Sequence, residues 1–316
     1  MSVSKSQCQL SDSESLTNFT GKELYDRLSK YILTEEQLRA NGYPRPCEDG
    51  SSKVVFYKEE FKDNLLKENE RTCTRCGKRY AIALDGSPAT VERCIYHFSN
   101  ARKQRGSSVY LYPCCNAKVG SSGCQVAENH VHDSNKTDDL TGYVKTRPGQ
   151  DHHIYSLDCE MVYTKAGMEL ARVTIIGEDC EIVYEKLVKP YTDIIDYNTR
   201  FSGLTAADMT GATTALHDVQ ADMLTMISDK TILIGHSLES DFVALKLIHS
   251  TVVDTSLAFQ PPRGLTFKRS LKNLVEEKLH KSIQADGHDS KEDAVACMQL
   301  MLYKVKEDAK RDIKRV

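Results

Sequence analysis

Asp158 and Glu160 lie inside the apolar run IYSLDCEMV, a setting in which carboxylates are out of place. Side chains two apart in a strand point to the same face, so both acids converge on one spot. Burying two like charges is costly unless something positive neutralises them. A divalent cation does this, and an all-oxygen ligand set selects Mg²⁺ or Mn²⁺. The Asp-x-Glu pattern alone says little. Asp12-Ser13-Glu14 falls in a polar tail and Asp179-Cys180-Glu181 at a turn, and both read as solvated. Asp241 closes GHSLESDF, where the strand TILIG passes into a helix, a place that also suits an ordinary helix cap. His288 and Asp293 fall in GHDSKEDA, the histidine on a loop and the aspartate in the first turns of a terminal helix.

A second set of residues is suited to a softer metal. Cys73-x2-Cys76-x17-Cys94-x2-His97 is followed by Cys114-Cys115-x8-Cys124-x5-His130, which is six Cys and two His. Eight such ligands make two tetrahedral Zn²⁺ sites, and sites filled by protein ligands are structural rather than hydrolytic. The pairing of ligands is left open by the spacing, and His132 is an alternative to His130. Residues 71–120 carry nine Lys/Arg against Asp85 and Glu92, a balance of +7 inside a chain whose net charge is −3. Tyr80, Tyr96, Phe98, Tyr110 and Tyr112 interleave with these cations, as a track for single-stranded nucleic acid requires. Arg102, Lys103 and Arg105, in SNARKQRGSS, have no acidic sequence neighbours and are the expected nucleic-acid contacts.

The elements that must position these groups follow from periodicity. Residues 1–17 are Ser-rich and read as a disordered tail. A helical leader spans 18–70, with one or two short amphipathic helices before GYPRP. The Cys/His module spans 71–132, and a linker containing DSNKTDDLTG spans 133–151. From Ile154 three β-rich runs, IYSLDCEMV, LARVTIIGE and EIVYEKLVKP, predict an antiparallel meander. HDVQADMLTMI reads as a helix, TILIGHS as a buried strand, ESDFVALKLIH as a helix and VVDTSLAF as a strand. RSLKNLVEEKLH and SKEDAVACMQLMLYKVKEDAK read as closing helices, so the region 152–310 is a mixed-sheet α/β domain, followed by a basic tail, 311–316. The first residues hold no apolar run of a secretory signal, and no stretch reaches the ~20 apolar residues of a membrane span, so a soluble intracellular protein with no membrane partner is expected. Cysteine clustering in such a compartment reads as metal binding rather than disulfides.

In this order LDCEM, GHSLESDF and HDSKEDA resemble the motifs of the DEDDh 3′→5′ exonucleases, on the RNase H-like fold. The Cys/His segment, GKELY, ILTEEQL and TGYVKT resemble the RNA exonuclease 1 homolog (GOR antigen-like) group, extending the likeness from about residue 21 to the end. The resemblance implies a 3′→5′ exoribonuclease acting on single-stranded RNA 3′ ends. Asp158, Glu160, Asp241 and Asp293 would hold two Mg²⁺ or Mn²⁺, and His288 would serve as general base. It favours His130 over His132 as a zinc ligand, assigns Asp254 to a recurrent structural position, and leaves Asp289 without a role. It also implies a nuclear location, with the cytoplasm as the alternative. A DNA 3′→5′ exonuclease and a non-catalytic RNA- or protein-binding adaptor are the competing readings, and RNA preference rests on the resemblance alone.

Overall fold

The leader supplies two short helices, α1 (Gly21–Leu28) and α2 (Glu35–Ala40), because Leu24 and Leu28 stack on one helical face and Thr34 closes a capping box with Gln37. In the computed structural model, residues 19–47, 54–56, 69–104, 106–133, 141–259, 268–285 and 287–313 are described. The tail expected over 1–17 lies outside them, as do 134–140 of the linker and the last three residues.

The three β-rich runs form the predicted meander of β1 (Ile154–Thr164), β2 (Gly167–Ile176) and β3 (Ile182–Leu187), all antiparallel. β4 (Ile194–Asp196) pairs with the far end of β1. β5 (Ile232–Gly235) and β6 (Val252–Asp254) join the other side in parallel, giving the order β3-β2-β1-β5-β6. This is a mixed α/β fold with a mixed sheet. All four residues of β5 are buried, as a strand covered on both faces requires.

Period-two alternation divides the core into two layers. Ile154, Ile232 and Ile234 face α5 (Leu271–Leu279) and the long α6 (Ser290–Ile313), joined by Leu24 and Leu28 of α1. Leu157, Cys159 and Leu233 face α3 (Leu216–Met226) and α4 (Glu239–Ala244), joined by Leu38 and Tyr43 of the leader. The leader is thereby part of the same core as the sheet. Tyr43 OH also donates to the fully buried Asp254 at 2.8 Å.

Two elements depart from the expected pattern. ESDFVALKLIH is helical only to Ala244; Lys246 takes a positive φ of 47°, and Leu247–Ile248 then pairs in parallel with Val144–Lys145. Leu245 and Leu247 are both buried, so apolar spacing there fits either form. VVDTSLAF is a strand only to Asp254, whose side chain accepts the Ser256 N–H at 2.8 Å and starts a helical turn, Thr255–Ala258. The end of the linker is also ordered against the core, through Val144–Lys145 and a bridge from Arg147 to Ser228.

The Cys/His module is built from two- and three-residue strands: Glu70–Thr72 with Arg79–Ala81, Cys94–Tyr96 with Gln125–Ala127, and Arg102–Lys103 with Tyr110–Leu111. Its buried apolar cluster is Cys73, Tyr80 and Cys94.

Candidate active site and cysteine–histidine clusters

Ser156 Oγ donates to Ala294 O of α6 at 2.7 Å, which fixes the face of β1 on which Ser156, Asp158 and Glu160 alternate. Asp293 lies in the first turn of α6, beside that face. Asp241 lies in the first turn of α4, on the other layer, where the thiol and backbone of Cys159 favour its anion. Cys159 is a buried core residue on the opposite face of β1 from Asp158 and Glu160. Asp158 feels the charges of Asp241, Asp293 and Glu160, so the four carboxylates are neighbours across β1, α4 and α6.

Glu160, Asp241 and Asp293 are 4%, 5% and 3% exposed, and Asp158 is half-buried. Burial, and then the Asp293 charge, push Glu160 up to about 9. Burial pushes Asp241 up to about 8, against hydrogen bonds that stabilise its anion. Burial and repulsion from Asp241, Asp293 and Glu160 carry Asp158 well above the carboxylate range. Arg172, opposite Glu160 in the β1–β2 ladder, offsets part of this. Glu160 Oε1 is buried and has no hydrogen-bond partner among the described residues. Oxygen ligands that repel each other, one of them lacking a donor, fit hard divalent cations. Asp254 is the contrast. Its oxygens accept Tyr43 OH, the Ser237 and Ser256 N–H groups and Ser256 Oγ, so it is a satisfied structural acid.

His288 precedes α6 and is 37% exposed at its side chain, with Nδ1 3.2 Å from Asp293 Oδ2. Asp289 Oδ1 accepts the N–H groups of Lys291 and Glu292 at 2.9 and 3.0 Å, so this loop acid caps α6. Thr174 and Ser290 hydroxyls, 2.8 Å apart, fasten the loop to β2.

The eight Cys and His residues gather into two groups of four: Cys73, Cys76, Cys94 and His130, and His97, Cys114, Cys115 and Cys124. Within each group the ligand atoms lie within 4.8 Å of one another, and the second group is nested between Cys94 and His130 in the chain. His132 belongs to neither; its Nδ1 faces Asp133 O at 2.9 Å. The Cys94-x2-His97 spacing, which looks like a ligand knuckle, divides between the two groups. Residues three apart along an extended segment point to opposite sides. Both histidines present Nδ1 to sulfur, His130 to Cys76 at 3.4 Å and His97 to Cys114 and Cys115 at 3.6 and 3.5 Å. His97 Nε2 faces Ser121 O at 3.3 Å, an outer contact of the kind that orients a ligating imidazole, and His130 Nε2 lies 3.9 Å from Glu92 Oε2, beyond hydrogen-bond distance. Burial opposes the Cys73 thiolate, yet backbone N–H groups and His130 bring the thiol down to about 7. Sulfur and imidazole in tetrads fit Zn²⁺.

The interleaved aromatics are mostly engaged inside the protein. Tyr80 is buried, Tyr112 stacks on His97 at 3.7 Å, Tyr96 lies beside Arg75, and Phe98 lies under Arg200. Tyr110 is 50% exposed and pairs with Lys103 across the hairpin. Arg102 and Lys103 are exposed; Arg105 lies outside the described residues.

Comparison with known proteins bears on this arrangement. A family model described as ElonginA binding-protein 1 matches residues 1–60. The chain is 50% identical over 300 residues to human RNA exonuclease 1 homolog and 45% identical over 304 residues to human putative exonuclease GOR. These matches take in 92% and 93% of the chain but 24% and 45% of the relatives, so the chain spans less than half of their length. RNA exonuclease 3 of Candida glabrata is 31% identical over 298 residues, 90% of this chain and 70% of that protein. The chain belongs to the RNA exonuclease family. Among solved structures, the Pan2 catalytic unit of Neurospora crassa matches 55% of this chain and 31% of its own, at 23% identity and a TM-score of 0.46.

Three residues of this RNA exonuclease family member escape motif reading. Gln284, at a positive φ of 56°, donates Nε2 to both Asp293 oxygens at 3.0 and 2.8 Å. Arg75 and Arg200 bridge the Cys/His module to the sheet domain. All three sit in loops or turns, where no periodicity marks a partner.

Proposed function

We propose that the chain is a 3′→5′ exoribonuclease that removes nucleotides from single-stranded RNA 3′ ends on an RNase H-like domain. The observation that carries this reading is the set of four mutually repelling acids on β1, α4 and α6, three of them buried and one with an oxygen that has no hydrogen-bond donor among the described residues. Asp158, Glu160, Asp241 and Asp293 would hold two Mg²⁺ or Mn²⁺. When bound, these ions supply Lewis-acid stabilisation of the phosphoryl and leaving oxygens and a more acidic attacking water. His288 acts as the general base. With Nδ1–H directed at Asp293 Oδ2, Nε2 would be the proton acceptor. Gln284 fixes the rotamer of Asp293 from behind, in the way outer-shell donors orient ligating carboxylates.

The two Cys/His tetrads would each hold a structural Zn²⁺ and give the module the core that its side chains do not supply. Arg102, Lys103 and Arg105 would hold phosphates upstream of the scissile end. With Tyr110 as the one exposed tyrosine of the track, electrostatics outweighs stacking there. RNA as substrate is supported by the names of the relatives, and a nuclear location by the family resemblance.

The test is incubation of purified protein with 5′-labelled RNA and DNA of one sequence, with Mg²⁺ or with EDTA. A ladder shortening from the 3′ end on RNA, abolished by EDTA, is expected. Equal degradation of DNA would remove the RNA assignment, and activity in EDTA would remove the metal.

A further inference from the structure

The Cys73-x2-Cys76 turn presents Arg75 to the sheet domain. Its guanidinium makes a two-pronged ion pair with Asp196 of β4, at 2.7 and 2.9 Å, between the rings of Tyr96 and Tyr163 at 5.2 and 5.1 Å. The Arg75 side chain is 9% exposed, so the pair is sheltered from solvent. Asp196 Oδ1 also accepts the N–H of Asn198 at 2.7 Å, and Arg75 reaches Asn198 Oδ1 at 3.5 Å. Asn198 stands at φ 53°, ψ 32° and opens a single helical turn, Thr199–Ser202, that ends at Gly203 with φ 63°. The module grips the same turn a second time, where Arg200 donates to Gln125 Oε1 at 3.3 Å and lies 4.2 Å over the Phe98 ring.

The far side of this turn rests on the His288 loop. A Cβ on Gly203 would lie 2.6 Å from His288 O, a contact too close for any side chain, and Phe201 sits 5.9 Å from the His288 ring. The turn 196–203 is therefore clamped between the Cys/His module and the loop that carries His288.

We propose that Arg75 is a positioning residue for the reaction, acting through Asp196 and the 196–203 turn to hold His288 in place, so that the Cys/His module shapes the active site as well as gripping substrate. The inference rests on His288 being the general base. Arg75 does not touch the reacting atoms, and a displacement of about 1 Å at a general base suffices for a large loss of rate, up to ~10²-fold. A bidentate guanidinium is also a contact that lysine does not reproduce.

The test is a double-mutant cycle of Arg75→Met and His288→Ala, read by single-turnover rates on a three-nucleotide RNA too short to reach the Arg102–Lys103 hairpin. Hydrogen exchange of the peptide containing 284–290 and zinc content are measured in parallel. Arg75→Met alone should slow the chemical step roughly tenfold or more with substrate affinity unchanged, and should speed exchange at 287–289 with zinc content unaltered. In the His288→Ala background the same substitution should have almost no further effect. Arg75→Lys should fall between wild type and Arg75→Met, and it is read in place of Arg75→Met if the latter fails to fold. A full additive loss in the His288→Ala background, or unchanged exchange at 287–289, overturns the relay. If His288→Ala itself leaves the rate intact, the general-base reading fails instead, and the exchange measurement still judges the mechanical link.

Discussion

The carboxylate site and the Cys/His module both gather metal-type ligands, but they are held together by different means. The four acids are spread from Asp158 to Asp293 and are carried by long strands and helices with two apolar layers behind them. The module gathers eight ligands within a shorter stretch, on strands of two or three residues, over a buried cluster of Cys73, Tyr80 and Cys94. In the first region the core forms the site, and ligand repulsion works against folding. In the second, the buried apolar cluster is small, and the Zn²⁺ proposed for the two tetrads would supply folding energy through its ligand bonds. Metal removal should thus silence one region and unfold the other.

Substituting single acids is the strongest test of the first half. Asp158→Asn, Asp241→Asn and Asp293→Asn should each abolish cleavage while leaving the fold intact; more than about a tenth of the activity remaining in any of them breaks the two-metal assignment. The same comparison predicts a pH effect in protein stripped of divalent ions. Glu160 and Asp241 are held at about 9 and about 8, above the ~4 of an unfolded carboxylate. Between those limits the folded state keeps protons that the unfolded chain has released, so stability falls as pH rises from ~5 to ~9. Melting temperature should drop across that range, Mg²⁺ should restore it, and the Asp→Asn variants should melt at or above wild type without metal. A flat profile would mean the acids are solvated.

Cys94→Ser probes the second half. Zinc analysis of wild type should give close to two ions per chain, and the variant should lose zinc, resist proteolysis poorly over 71–132 and be less soluble. Active, soluble protein with no zinc breaks the contrast between the regions.

His288→Ala sharpens the first half without touching a charge in the acid cluster. Cleavage should slow by ~10²–10⁴, the usual worth of a general base. Hydroxide replaces a missing base more effectively as pH rises, so the deficit should shrink between pH 6 and 9. A pH-independent deficit would assign His288 to loop shape alone.

The smallest expected effect concerns what the module does besides fold. Neutralising Arg102, Lys103 and Arg105 together should weaken binding to long RNA and lower the slope of log affinity against log salt by ~2, at ~0.7 per single-strand phosphate contact. Cleavage of a two- or three-nucleotide RNA should be unchanged. An unaltered slope makes the hairpin an ordinary solvated face.

Asp158 and Glu160 were legible because an acid inside an apolar strand violates a simple pattern, and period two fixes which neighbours share its face. The strand meander and the long closing helix were legible for the same reason: IYSLDCEMV and SKEDAVACMQLMLYKVKEDAK carry strong periodicity over many residues. ESDFVALKLIH misled because Leu245 and Leu247 are buried in a bend as readily as in a helix. The aromatics of the basic segment misled because composition does not say which face a ring occupies, and Tyr80, Tyr96, Phe98 and Tyr112 are turned toward the protein.

The sequence by itself determined the residue types at both sites and the mixed-sheet order of elements, because each is encoded in local spacing, while spacing left His130 and His132 as alternatives among the cysteine and histidine residues. Tertiary structure alone decided which cysteines and histidines share a tetrad, how the leader joins the core through Tyr43 and Asp254, how Arg75 and Arg200 reach partners far along the chain, and how Gln284 turns back to Asp293. Those choices depend on where separate elements meet in space, and a side chain in a turn carries no period from which that meeting can be read.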